Sequence, residues 1–430
     1  MKRKLSTLEH VIDGNMTCQV HLEGRLSADR LRSALDRVQR KHPALRMLIR
    51  QDNGMLYYEA DAAGPVPLRI VDMQSDDDCT RERRTELTTP ISHRQPQLRV
   101  VWLSSGLGNQ LLITTTHRIC DGMSVLTLVR EILKSLHSDD SLVAYAPLTL
   151  HDIIGDVRDE SLSKRRRVAR LVNALVALIP GSRTPVENRE IYREWNVSPG
   201  LSAMLKRRCK LEGVSMHAAL LSVLDRALLA AFGKHAPAWI DNPFDGRRGR
   251  LPMIKSDMLF FSGGSFRIKT GQNASADFWE RAREIHAEAH RKIEQELIDI
   301  PAKYQYFEML NVPSERKMRS VVRLRNALGR RRSQRVFSFS NFGAVDVIDE
   351  DAPFELKDFR FFLHSFVMSV FAIVAYSLHG QLRFIYMGDK RYWSDADIDA
   401  LQRQFVALLE TCAGQAAQAP EPLGALEAAS

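Results

Sequence analysis

A two-lobed α/β (α+β) protein is predicted by this sequence, on three observations. Strand-like and helix-like runs alternate in both halves of the chain. Between about residues 140 and 197 the strand signals stop, and Pro180 and Gly181 close an apolar run, as at a connection between folding units. The 430 residues suffice for two or three units at roughly 150 residues each. These grounds divide the chain into a lobe at 1–180, a second at 181–413 and a flexible Ala/Pro-rich tail at 414–430.

In chain order, Thr17 to Glu23 alternates as a strand does, and Ser27 caps a segment with Leu31, Ala34, Leu35 and Val38 at helical spacing. LRMLIRQ and MLYYEA read as a hairpin about Asn53-Gly54, the dipeptide best suited to a two-residue turn. LRVVWLSS and LLITTTH are β-rich runs joined by GLGNQ, and the second ends at His117. DGMSVLTLVREILKSL then has helical apolar spacing, which puts residues 117–122 on a strand-to-helix loop. The second half restarts with two helices, the clearer running from Ser215 to Gly233. AWIDNPF, MLFFSGGSFRI and VFSFSNF read as strands, with a charged helix from Ser275 to about Leu297 among them. FVMSVFAIVAYSL and QLRFIYM flank His379-Gly380 as a hairpin, and a last helix runs from Asp395 to Leu409.

With 44% apolar and 26% charged residues, the composition excludes collagen-like, disordered and disulfide-scaffold chains. Five widely spaced cysteines with no CxxC pair point to a reducing compartment and away from a zinc ribbon. The start, MKRKLSTLEHVIDG, lacks the apolar core of a signal peptide, and no stretch approaches ~18 uninterrupted apolar residues. A cytoplasmic protein without a transmembrane segment is expected. The net charge of +9 is concentrated: nine of the 61 Lys and Arg fall between Arg316 and Arg335, where there is no acid. Val321, Leu324 and Leu328 are helically spaced there, so the arginines read first as the wet side of a helix. Nucleic acid is disfavoured because no aromatics are interleaved. A second cluster, Lys164 to Arg170, precedes the apolar stretch Leu171 to Ile179. It reads as a linker helix packed on the lobes, with peripheral membrane contact as the other reading.

Most catalytic signatures are missing. There is no Walker A loop, GLGNQL lacks a third glycine, and Gly122-Met123-Ser124 runs on into Val125 rather than completing GxSxG. In HAEAH, His286 and His290 share a helix face, but Glu288 stands roughly 200° round from each. With no third ligand in view, no metal site is expected. THRICDG, residues 116–122, is sharper. It sets His117 at a strand end on an Asp-Gly turn, held on one side and open where a cleft forms. Asp121 suits a base, a ligand or an anchor. Gly122 permits positive φ or close backbone approach, and the next helix offers N–H groups to developing negative charge. On the residues alone, His117 is a catalytic base or a structural histidine. Cys120 reads as a small buried filler rather than a nucleophile.

His117-x-x-x-Asp121-Gly122 resembles the HxxxDG motif of the chloramphenicol acetyltransferase-like acyltransferase superfamily, which includes nonribosomal peptide condensation domains and polyketide-associated acyltransferases. Similar blocks follow the family order: KHPALR at 41–46, PQLRV at 96–100, NPFDGR at 242–247 and SNFG at 340–343. The resemblance implies two similar lobes in a V with a central tunnel. It implies transfer of an acyl group from a thioester to a hydroxyl or amine, giving an ester or amide in secondary-metabolite or lipid biosynthesis. The thioester of CoA or of carrier-protein phosphopantetheine is then a co-substrate, the acceptor is a small alcohol or amine, and no cofactor is bound. It further implies His117 as general base, Asp121 and Gly122 as support, and Asn341 across the tunnel from the histidine. Arg247 is the implied partner of Asp121, ahead of Arg248 and Arg267. Arg323, Arg330, Arg331 and Arg332 become candidates for docking an acidic donor, an acyl carrier protein or CoA. Thr116 stands where condensation domains have the first of two histidines, which weakens peptide condensation in particular, and the DFGWG motif of the plant BAHD type is absent, so a bacterial-type, stand-alone relative is the better match; a monomer is expected. The alternatives are an epimerase or cyclising relative, for which no acidic partner of His117 is evident, and a non-catalytic scaffold that recruits an acyl carrier protein.

Overall fold

The computed structural model describes residues 2–52, 55–105, 108–155, 162–183, 189–247, 251, 253–261, 263–272, 277–311, 315–328, 336–366 and 370–414. The first half forms β1 (Lys2–Lys4), α1 (Thr7–Val11), β2 (Gly14–Gly24), α2 (Ala28–Lys41), α3 (Pro43–Arg46), β3 (Leu48–Asp52), β4 (Met55–Glu59), β5 (Leu68–Asp72), α4 (Asp76–Thr88), β6 (Leu98–Ser105), β7 (Gly108–Thr116), α5 (Gly122–His137), α6 (Leu150–Ile154) and α7 (Leu162–Leu178). The second forms β8 (Glu190–Asn196), α8 (Pro199–Leu211), α9 (Met216–Phe232), β9 (Trp239–Pro243), β10 (Ser265–Lys269), α10 (Phe278–Met309), α11 (Glu315–Leu328), β11 (Val336–Ala344), β12 (Phe354–Ser365), β13 (Ala372–Leu378), β14 (Gln381–Asp389) and α12 (Asp395–Gly414).

Three sheets result, ordered β12-β2-β7-β6-β5, β10-β9-β11-β13-β14-β8 and β1-β4-β3. In the first, β2 runs antiparallel between β7 and β12. Both faces of β2 are buried along most of its length, as α4 and α5 pack against it, whereas the edge strand β5 is largely exposed. In the second, β11 lies parallel to both β9 and β13. One face of β13 and β14 packs into the core of the first sheet, and the other, with α8, α9, α10 and α12, into a second core. α9 is long and apolar enough to cross a membrane, yet most of it is buried in that second core.

Local signals explain many boundaries. Ser27 accepts from the Arg30 N–H to open α2, and Ser215 from the Ala218 N–H to open α9. α9 ends at Gly233, whose φ of 52° suits a residue without Cβ. Other expectations need correction. β8 and β5 form where no strand was expected, and β8 is the edge of the second sheet. β12 also escaped notice; although it lies in the 181–413 range, it completes the first sheet. Of MLFFSGGSFRI only Ser265 onward is strand, because the preceding backbone bonds to the start of α5 instead of to a ladder. α10 runs on through Pro301 to Met309. α7 packs as a linker helix along one narrow face only: Ala169 is its one buried side chain among those described, and Asn173 Nδ2 donates to the Met309 carbonyl of α10. The Asn53-Gly54 turn, Ser275 and the 415–430 tail lie outside the described residues.

Candidate active site

β7 delivers His117 to the loop before α5. The His117 main-chain N–H donates to the Gly14 carbonyl at 2.8 Å, and ring Nδ1 lies 2.7 Å from the Cys120 carbonyl oxygen. A carbonyl only accepts, so this contact assigns the proton to Nδ1 and leaves the lone pair on Nε2. Nε2 has no hydrogen-bond partner among the described residues. The Phe261 ring stands edge-on to the imidazole, with centroids 5.1 Å apart. Burial holds the His117 pKa below its ordinary value, outweighing the Cys120 bond and the nearby Asp121 charge, which act the other way. The ring is therefore neutral at pH 7.

Asp121 faces elsewhere. As N-cap of α5 it accepts from the Ser124 N–H at 2.9 Å, and the same Oδ1 accepts from Arg247 Nη2 at 2.8 Å. Arg247 is almost fully buried. Its Nη2 also donates to the Phe260 carbonyl at 2.8 Å and to Ser124 Oγ at 2.5 Å, while Nη1 donates to Asp245 Oδ1 at 2.8 Å. Burial works against the guanidinium charge, but Asp121 and Asp245 prevail and raise its pKa. The structure thus brings Asp121 and Arg247 together as a buried charged anchor between the two halves of the chain. Arg267 pairs instead with Asp241 at 3.1 Å, and Arg248 lies outside the described residues.

Of the two reasons considered for Gly122, close approach is the one the structure uses. A Cβ there would lie 2.5 Å from Cε1 of Phe342, and Gly122 is not among the positive-φ glycines. Phe342 belongs to SNFG on β11, so this contact sets that block against the motif helix. Asn341 is half-buried, and its Oδ1 accepts from the Gly343 N–H at 2.9 Å. No hydrogen bond joins it to His117. Thr116 is buried at the end of β7, and its hydroxyl has no hydrogen-bond partner among the described residues. Cys120 is fully buried, and burial pushes its thiol pKa up to about 12, which leaves it unreactive.

The part of the site that sequence reasoning missed is the segment from Met258 to Phe261. Its Phe260 carbonyl accepts from the Asp121 N–H, the Ser124 hydroxyl and Arg247, and its N–H donates to Ser124 Oγ at 3.0 Å. Phe260 and Phe261, with Ile119, Leu148 and Met258, line a small, largely apolar cavity of about 80 Å³, partly open to solvent. Phe261 touches both this cavity and His117. Only the aromatic pair in MLFF hinted at it.

The remaining candidates lie apart. Arg323, on α11, donates to Ser182 Oγ at 2.8 Å; Arg330, Arg331 and Arg332 lie outside the described residues. His286 and His290 stack edge-on, and His286 Nδ1 accepts from the Ser215 N–H. Among the described residues, the group of side chains spaced for a metal is His137, Asp349 and Asp351, not this pair. There Lys134 already stands 3.9 Å from Asp349.

Residues 7–141 match the condensation domain family model. The polyketide synthase associated protein 5 of Mycobacterium tuberculosis superposes with a TM-score of 0.64 at 15% identity, over 95% of this chain and 98% of that one. The TRI3 trichothecene 15-O-acetyltransferase of Fusarium sporotrichioides gives 0.68 at 11% identity, over 96% and 94%. The chain has the condensation-domain fold. Cyclosporin synthetase simA of Tolypocladium inflatum is 29% identical over 143 residues, which is 32% of this chain and 1% of that synthetase. The matched region holds the β2-to-α5 part of the condensation-domain fold, with His117 and Asp121 inside it.

Proposed function

We propose that the protein is an acyltransferase in which His117 is the general base. The observation that carries this reading is the bond from Nδ1–H to the Cys120 carbonyl, which in the neutral ring leaves the lone pair on Nε2. The donor is an acyl thioester of CoA or of carrier-protein phosphopantetheine, and the acceptor a small alcohol or amine. Nε2 takes the proton as the acceptor oxygen or nitrogen bonds to the thioester carbonyl carbon. The tetrahedral oxyanion then collapses, the C–S bond breaks, and the leaving thiolate takes the proton back from His117. No acyl-enzyme forms, in keeping with a buried, unreactive Cys120. The apolar cavity beside Phe261 suits the hydrophobic part of one substrate. Asp121 and Arg247 hold the motif in place without touching the reacting atoms.

The test is product formation by mass spectrometry, with acyl-CoA and acyl-carrier donors against mixed alcohols and amines. His117→Ala is expected to lose roughly 10²–10⁴-fold in turnover with unchanged folding. Wild-type turnover by the folded variant would remove His117 from the mechanism, and carrier binding without transfer to any acceptor would favour the scaffold.

A further inference from the structure

The most exposed apolar feature of the described residues belongs to α7, far along the chain from the acyl-transfer residues. Val168, Leu171, Leu175 and Leu178 are 43%, 61%, 55% and 81% exposed. At 3.6 residues per turn these four lie within about 80° of one another and run for about 15 Å along the helix. The opposite side faces the protein: Ala169 is buried, Asn173 Nδ2 donates to the Met309 carbonyl, and Asn173 Oδ1 accepts from the Asn311 N–H. The leucines are thus aimed straight outward.

Their surroundings are cationic. Residues 162–178 contain Lys164, Arg165, Arg166, Arg167 and Arg170 and no acid. α11 lies alongside: the Ser182 N–H donates to the Arg316 carbonyl and Lys317 Nζ to the Ala177 carbonyl. After Glu315 it contributes five more Lys or Arg, and Leu324, half-exposed, extends the apolar surface.

We propose that α7, flanked by α11, docks the protein in the plane of an anionic phospholipid bilayer. A convex, one-helix-wide row of aliphatic side chains sinks into the boundary between headgroups and acyl chains, and the arginines reach the lipid phosphates from its sides. The net positive field over both helices draws the face to anionic rather than zwitterionic lipid. An acidic carrier protein would satisfy the cations, but it leaves an outward row of four large aliphatics in search of a matching groove.

The experiment is co-sedimentation of the full chain with phosphatidylcholine vesicles, with and without phosphatidylglycerol. Wild type is expected to bind the anionic vesicles, to bind the neutral ones weakly, and to release as salt rises. The Leu171→Ser/Leu175→Ser/Leu178→Ser variant changes only exposed positions, so its melting temperature should hold while vesicle binding falls about tenfold or more. In a Leu175→Trp variant, brominated lipids should quench emission beyond the wild-type level. Wild type that ignores anionic vesicles, a triple variant that binds them equally, or Leu175→Trp emission that lipid does not quench overturns the proposal. So does leucine-dependent binding to an acidic acyl carrier protein without binding to vesicles.

Discussion

At the scale of single residues, the useful property of His117 is that it is kept neutral. Its folded-state pKa is depressed, chiefly by burial, so acid must fall further than usual before the ring takes a proton. A protonated Nε2 cannot accept from the acceptor nucleophile. The rate should therefore hold as pH drops through about 6.5, the ordinary value for histidine, and fall only below it. A kcat/KM profile with an acidic limb above that value would remove His117 as the base that limits the reaction. The same reasoning separates Cys120 from catalysis, since a thiol raised to about 12 has almost no thiolate at neutral pH. Both residues were legible in the sequence, because a histidine ending a strand before an Asp-Gly turn is a local pattern. The tautomer was not, since it depends on a carbonyl whose direction only the folded loop sets.

At the scale of elements, α5 and β11 meet through a glycine and a ring. Adding a methyl at Gly122 places it 2.5 Å from Phe342, and Phe342 is itself held edge-on against Phe361 at 5.0 Å. The ring has little room to retreat. Gly122→Ala should cost roughly 1–3 kcal/mol by overpacking, read as a lowered denaturation midpoint. Trimming the ring in Phe342→Leu should make the same change at Gly122 cheaper, so the double variant will be more stable than the sum of the two losses requires. Simple additivity would mean that the contact does not join the two elements. Sequence patterns revealed these elements because α5 has strong apolar spacing and β11 a run of aromatics. They could not reveal the segment from Met258 to Phe261, which has the composition of a strand. The Phe260 backbone is satisfied by Ser124, Arg247 and the Asp121 N–H rather than by a neighbouring strand, and a side-chain partner 136 residues away leaves no periodic signature.

At the scale of the whole molecule, the two halves are interlocked rather than joined end to end. β12 leaves the second half and pairs with β2 from Phe354–Gly24 to Ser365–Gly14. It brings Phe359, Phe361 and Phe362 into the core of the first sheet. A second tie is a charged cluster, buried at Lys41, His42 and Glu131 and half-exposed at Asp257. Lys41 Nζ bonds Glu131 at 2.5 Å and Asp257 at 2.6 Å, His42 Nε2 lies 2.6 Å from Glu131, and the Tyr145 hydroxyl donates to Asp257 at 2.5 Å. Burial alone would lower the Lys41 pKa, but its two carboxylate partners raise it. The KHPALR block therefore reaches across the chain to a residue 216 positions away. Residues 1–180 produced alone would lack β12 and Asp257. β2 would be left with an open edge along its length, the core rings that β12 carries would be missing, and Lys41 would lose one of its carboxylates. Such a fragment is expected to melt without a cooperative transition and to bind a hydrophobic dye that the full chain does not bind. Supplying β12 on a second fragment, residues 336–414, should restore part of the cooperativity. A sharp thermal transition in the 1–180 fragment alone, with dye binding no greater than that of the full chain, would mean that the first sheet closes without β12 and that the halves fold independently.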